Sequence, residues 1–492
     1  MAEQGIDARP QLLTYPDSLG ENLRELANLL DGPFDGLFRG VHILPPFPSS
    51  GDRGFAPLTY QEIDPRFGTW EDIRRIGARY DVMLDVMINH ISRQSPEFQD
   101  FQRLGRRSRH ADLFITLDKI WPDRNPPLSD VAQIFLRKPD SPFSTVTIEE
   151  TGESERIWTS FGSAQWSEQI DLDVTSDATR SLVSSWLRFF ADQGVRFVRL
   201  DAVGYVIKKP GTSCFMVEPE IYEFLGWITG VAEPLGLVVL PEVHDRYPTH
   251  ERLAEHGFWT YDFVLPGLVL EAFETGQARP LADHLARSPR RQFTTLDCHD
   301  GIPVRPDLDG ILEPSQMLDL AERIRGRGGN VNRLLSGDQA DDVDVHQLNC
   351  TYYSALGCDD ARYLAARAIQ LFARGVPQIY YVGLLAGKND AAAVERTGDG
   401  RAINRHDYTI DEVEASLRRP VVRRVLEIVR LRNTHPAFSG ELDVEGEGSA
   451  LRLRWRNGDA TCSLEVDLSS GRAAISDATS RSAVSGPDSR VR

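Results

Sequence analysis

Residues 81–90 read DVMLDVMINH, an apolar run of Val, Met, Leu and Ile broken by one inner Asp and closed by Asn-His. The run lacks the period-2 alternation of a half-solvated strand. It suits a strand buried on both faces, as in a parallel sheet flanked by helices. The flanking sequence repeats the theme. Leu12 to Tyr15 and Val41 to Leu44 read as two earlier strands, and Trp70 to Tyr80 as a helix. Glu21 to Leu30 is a helix with Leu23, Leu26 and Leu30 on one face. Later strands are expected at Phe197 to Val203, Leu237 to Val243, near Tyr261, Phe293 to His299 and Gln378 to Val382. Eight strands alternating with helices predict an α/β protein, a (β/α)8 TIM barrel.

Two stretches interrupt the alternation. Residues 91–175 are polar, Pro-rich and aromatic, too long for a plain loop, and are expected to form an inserted lid domain after strand three. Residues 301–356, with the Gly- and Asp-rich piece RGRGGNVNRLLSGDQADDVD, form a second expected insert after strand seven. The barrel is then assigned residues 1–90, 176–300 and 357–437, ending in a helix over Pro420 to Arg432. The alternating LRLRW and CSLEVDL place a small antiparallel β domain at 438–475. The Ser-, Asp- and Arg-rich residues 476–492 read as a disordered tail.

Length and composition narrow the function. A chain of 492 residues with 41% hydrophobic and 26% charged residues is expected to fold as a large catalytic domain with appendages. A formal net charge of −18 argues against a non-specific nucleic-acid or anionic-membrane binder, which needs clustered positive charge. No apolar run approaches the roughly 20 residues of a membrane span. The start, MAEQGIDARPQLLTYPD, lacks the pattern of a secretory signal. Five cysteines without close metal-type spacing read as free thiols in a reducing compartment, so a cytoplasmic location is expected.

Four segments end predicted strands in ionisable residues. They are DVMINH closing at His90, VRLDAVGY with Arg199 and Asp201, LPEVH with Glu242 and His244, and LDCHDG with His299 and Asp300. A lone Asp at a strand end is more often a cap or turn residue. Three carboxylates, imidazoles and an Arg directed to one rim are costly to bury together unless they serve a reaction. A carboxylate nucleophile on one face of a sugar and a carboxylic acid on the other is what a retaining displacement at an anomeric carbon requires. Arg199, two residues before Asp201 and on the same strand face, favours the ionised Asp201 carboxylate.

In these motifs and their order the chain resembles the α-amylase superfamily of glycoside hydrolases and transglycosylases. The resemblance implies that Asp201 is the nucleophile, Glu242 the acid/base and Asp300 the third carboxylate. It makes His90, His299, Tyr205 and His244 sugar-binding and Arg199 the cation beside Asp201. The segments QLLTYPDSLG, GVHILPPFP, RLDAVGY, GTSCF, YYSALG, YYVGLLAGKND and INRH resemble the sucrose phosphorylase subgroup more closely. That likeness implies an Asp52–Arg405 pair gripping the far glucose hydroxyls, with Phe55 and Phe161 as apolar walls. It further implies acceptor-site loops carrying Arg137 and Lys138 (FLRKPDSPF), and His346 and Gln347 (DVDVHQLNC). Lys208 adds a further cation after strand four.

Sucrose phosphorylases proper usually have uncharged residues where Arg137 and His346 stand, and an Arg where Lys138 stands. Extra cations suit an acceptor that carries its own phosphate, since Arg clasps phosphate with two parallel bonds and Lys or His adds charge. Arg137, Lys138, His346 and Lys208 are therefore expected to bind phosphate. This pattern resembles the sucrose 6′-phosphate phosphorylases, which implies retaining phosphorolysis to α-D-glucose 1-phosphate and D-fructose 6-phosphate. The sequence leaves open a phosphorylase of unphosphorylated sucrose or of glucosylglycerate, a hydrolase, and a non-catalytic barrel binding subunit. No cofactor and no metal are expected, because no acidic calcium loop lies near Asn89-His90. The expected partners are small-molecule substrates, with no nucleic acid and no membrane, acting on a monomer or homodimer.

Overall fold

Short runs of Val, Leu, Met and Ile with almost no exposed position give eight buried strands. The computed structural model describes residues 8–138, 141–162, 167–245, 247–303, 312–333, 345–477 and 481–483. The barrel strands are β1 (Gln11–Thr14), β2 (Gly40–Ile43), β3 (Asp81–Met87) and β4 (Phe197–Asp201). β5 (Val238–Pro241), β6 (Thr260–Asp262), β7 (Gln292–Thr294) and β8 (Val376–Tyr380) complete the set. They lie in one sheet in the order β6-β7-β8-β1-β2-β3-β4-β5, the sequential order of a (β/α)8 TIM barrel. The strands divide between two compact units. One holds β1, β6, β7, β8 and the C-terminal sheet; the other holds β3, β4, β5 and the segment between β3 and β4.

The ten-residue strand expected at 81–90 is in fact two. β3 stops at Met87, and His90–Ser92 forms a separate strand antiparallel to Gln169–Asp171, with His90 opposite Asp171. The Asn89 carbonyl accepts from Leu172 N–H at 2.8 Å, so the break keeps its backbone groups paired. Beyond it, Ser95 caps the helix Pro96–Leu104 by accepting from Phe98 N–H, with Pro96 at the first helical position. A hairpin of Phe143–Thr147 and Ser154–Trp158 follows. In this polar, aromatic stretch Ile115, Leu117, Trp121, Phe143 and Trp158 form a core that Cys214, from beyond β4, joins.

Between β7 and β8, the helix Pro314–Gly326 accompanies a three-stranded sheet of Ile302–Pro303, Val345–Asn349 and Asn330–Arg333. At the C-terminus, alternation gives an antiparallel sheet over Glu441–Glu447, Ala450–Asn457, Ala460–Asp467, Arg472–Asp477 and Arg481–Ala483. Leu451, Leu453 and Trp455 point inward while Arg452, Arg454 and Arg456 are exposed. Pairing of Ala474–Ser476 with 481–483 carries the sheet past residue 475, so the tail expected from 476 is partly strand. All five cysteines are free thiols. No described helix is long and apolar enough to cross a membrane.

Candidate active site

Register sets up the first half of the site. In the β3–β4 pair Asp85 lies opposite Arg199 and Met87 opposite Asp201, so Asp85, Arg199 and Asp201 share one face. Arg199 Nη1 donates to Asp85 and, at 3.1 Å, to Asp201 Oδ1, while Nη2 lies 2.5 Å from Glu242 Oε1. A single guanidinium thus joins three carboxylates. Asp85 and Arg199 are buried, so each charge depends on the other. Ala202, directly after the nucleophile candidate, takes a left-handed φ of 52°. That turn aims its N–H at Glu242 Oε2, 3.2 Å away. His244 Nε2 meets Glu242 Oε1 at 3.0 Å. Sequence reading brought Asp201, Glu242, Arg199 and His244 to this place but missed Asp85. The available signal was a lone acid inside an otherwise apolar strand, a group that needs a buried partner.

Around this core the same unit arranges aromatic and cationic groups. His90 Nε2 lies 3.0 Å from the Phe55 carbonyl, which also accepts from Gln169 Nε2. The Arg199 guanidinium lies 5.8 Å from the Phe55 ring centre. Phe161 packs between His90 (5.4 Å) and Tyr205 (5.1 Å). Arg137 lies 5.8 Å from the Phe161 ring centre and 6.0 Å from that of Tyr205. Resting a guanidinium on two rings supports its stem and its charge. Asp52 is exposed, in the turn Asp52–Gly54, with left-handed φ at Asp52 and Arg53.

Two expected phosphate ligands are corrected by their surroundings. The Lys138 side chain turns inward, only 1% exposed, donating to Thr159 Oγ1 at 2.5 Å and Ser144 Oγ at 3.4 Å. Burial lowers its pKa to about 8, which further weakens it as a cation. Lys208 pairs with Asp171 at 2.8 Å and donates to Asn89 and Ser160, with side-chain exposures of 2% and 0% for the ion pair. Both ammonium groups are consumed by internal partners and serve the fold. The side chain of His346 lies outside the described residues.

Burial also lowers the His90 pKa, against the upward pull of Asp171, the Phe55 carbonyl and Asp52. The folded value lies below the unfolded one of about 6.5. Below that pH the unfolded chain therefore binds a proton that the folded chain refuses. Stability is fully present above the unfolded pKa and is lost as pH falls toward the folded one. We expect melting temperature to decline from pH 7.5 to 5.5, with a shallower decline in His90→Gln. An identical slope in both proteins would remove His90 from the effect.

The other unit carries the remaining groups after β7. Asp300 Oδ1 lies 3.2 Å from Arg401 Nη1 and 3.4 Å from Arg405 Nη2, and His299 Nε2 lies 3.5 Å from Asp300 Oδ2. Arg405 is buried and donates from Nε to the His299 carbonyl at 2.7 Å. Asn404 Nδ2 donates to the Cys298 carbonyl at 2.9 Å, so the segment 400–405 holds the loop after β7 by its backbone. Gln347 is buried on the strand Val345–Asn349, opposite Pro303. The sequence did not single out Arg401, although its four-residue spacing from Arg405 was visible.

Carboxylates joined by one Arg at the C-terminal ends of adjacent barrel strands, with a further Asp–Arg cluster after β7, define a glycoside-processing barrel enzyme. The comparisons with known proteins agree. Residues 37–252 match the family described as alpha amylase, catalytic domain. The chain is 53% identical, over 94% of its length and 96% of the relative's, to the sucrose 6(F)-phosphate phosphorylase of Thermoanaerobacterium thermosaccharolyticum. It is 42% identical to the sucrose phosphorylase of Streptococcus mutans, covering 94% of this chain and 95% of that one. The crystal structure of sucrose 6F-phosphate phosphorylase from Thermoanaerobacter thermosaccharolyticum superposes with a TM-score of 0.94 at 51% identity, covering 97% of each chain. The chain belongs to the family of sucrose and sucrose 6-phosphate phosphorylases, within the α-amylase superfamily. It is an enzyme of the disaccharide phosphorylase type, a glycosyltransferase acting on small molecules.

Proposed function

We propose that this chain catalyses retaining phosphorolysis of sucrose 6′-phosphate to α-D-glucose 1-phosphate and D-fructose 6-phosphate. The observation that carries the reading is the 53% identity, over 94% of the chain, to a sucrose 6(F)-phosphate phosphorylase. The Asp201 carboxylate attacks the anomeric carbon while Glu242 gives its proton to the departing fructosyl oxygen. A phosphate oxygen then attacks the β-glucosyl-enzyme, Glu242 takes back the proton, and two inversions leave an α-product. Asp300 and His299 hold glucosyl hydroxyls, with Asp52 and Arg405 on the remote ones. Arg137, seated on Phe161 and Tyr205, meets the substrate's phosphate. Gln347, on the strand after the second insert, lines the acceptor side, and the enzyme works in the cytoplasm as a monomer or homodimer.

Glucose 1-phosphate formation from sucrose and from sucrose 6′-phosphate, side by side in phosphate buffer, tests the reading. A strong preference for the phosphorylated sugar is expected; equal or better use of sucrose overturns the substrate assignment. In Arg137→Ala, kcat/KM on the phosphorylated sugar should fall roughly 10- to 100-fold, the worth of charge-assisted bonds. Activity on sucrose should change far less. Equal losses on both sugars would deny Arg137 a selective role.

A further inference from the structure

Asp300 has more positive charge beside it than one ligand-gripping Arg would supply. Arg405 is fixed from below: its Nε donates to the His299 carbonyl, its Nη2 reaches Asp300 Oδ1 at 3.4 Å, and its Nη1 lies 3.8 Å from Asp399. Arg401 lies in the short 3-10 segment Gly400–Asn404, which Arg405 caps, and its Nη1 reaches the same Oδ1 at the shorter 3.2 Å. Asp399 sets that geometry, accepting from Arg401 N–H at 2.9 Å as the N-cap and lying 3.7 Å from Arg401 Nε. The Arg401 backbone and side chain are thus both tied to one carboxylate while its fork engages another.

We infer that Arg401 is a positioning residue for the third carboxylate. It holds Asp300 by Oδ1 and thereby sets how Oδ2, on the His299 side, is presented to a glucosyl unit. The second guanidinium also places charge opposite a carboxylate that must accept hydroxyl hydrogen bonds more strongly in the transition state. Arg405 cannot replace it, because its donors are already divided among the His299 carbonyl, Asp399 and Asp300. The inference rests on the retaining glucosyl-transfer reading of Asp300 but not on the identity of the acceptor.

The test uses α-glucosyl fluoride, a donor whose turnover needs no fructosyl group, so an error in the sucrose 6′-phosphate assignment does not affect it. In Arg401→Gln, kcat should fall roughly 10- to 100-fold, the range for losing a hydrogen bond to a charged partner. The acid limb of its pH profile should move to higher pH, because a carboxylate that loses a cation protonates more readily. Arg401→Lys, which restores charge without the fork, should return the acid limb toward the wild-type position while recovering only part of kcat. Melting temperature is measured alongside. A fall in kcat with an unmoved pH profile would assign Arg401 to the fold alone and overturn the inference, as would unchanged kcat in Arg401→Gln. Wild-type failure to turn over the fluoride would instead overturn the retaining glucosyl-transfer reading.

Discussion

Asp201→Ala loses glucosyl transfer, with kcat on sucrose 6′-phosphate falling roughly 10,000-fold or more, as when a covalent nucleophile is deleted. The loss is chemical rather than structural. In the variant, Arg199 still has Asp85 and Glu242 to pair with, so no buried charge is orphaned. The melting temperature should therefore stay close to wild type. The proposed double displacement makes a sharper demand. With the carboxylate gone, a small anion such as azide can enter the space it leaves and attack the anomeric carbon directly. One inversion then replaces two, and the product is β-glucosyl azide. Glu242→Gln behaves differently. Its loss on sucrose 6′-phosphate is severe, but α-glucosyl fluoride, whose leaving group needs little protonation, recovers much of the first step. Near wild-type turnover in Asp201→Ala, or an α-configured azide product, would remove Asp201 from the nucleophile's role.

These strand-end residues were legible in the sequence because chemistry and fold coincide there. A TIM barrel delivers strand ends to one face, so ionisable residues at the ends of buried runs declare themselves without coordinates. Asp201, Glu242 and Asp300 were found that way. Their cross-strand partner Asp85 was not, because pairing across strands depends on register, which sequence spacing within one strand does not contain. Asp85 sits opposite Arg199 only through the β3–β4 register. The break after Met87 was hidden for a related reason. Ile88 extends the apolar run past Met87, and the new strand is set by a partner nearly eighty residues later, Gln169–Asp171. Loop cations were the least legible class. Arg137 and Lys138 are neighbours, yet one rests on aromatic rings and the other turns into its own unit's interior. Nothing in Arg-Lys adjacency says which will do so.

Lys208→Met should destabilise the protein by about 3–5 kcal/mol, the cost of breaking a buried ion pair by removing one partner. Asp171 is fully buried, and Lys208 is the cation that holds its carboxyl below the ordinary range despite burial, helped by Ser160. Ser160 Oγ and N–H would remain to Asp171, but two neutral donors do not replace a buried ammonium. The damage should spread, because Lys208 also ties Asn89 and Ser160 together and lies 5.3 Å from the Trp158 ring centre. A lower denaturant midpoint at constant slope is the expected observation. Removing both charges in Lys208→Met/Asp171→Leu should recover part of the loss, since no lone charge stays behind. The kinetic outcome separates this role from phosphate binding. At a temperature where the single variant is folded, KM for inorganic phosphate should match wild type. A large rise in that KM without loss of stability would mean that Lys208 leaves Asp171 to meet phosphate, and the structural assignment would be wrong.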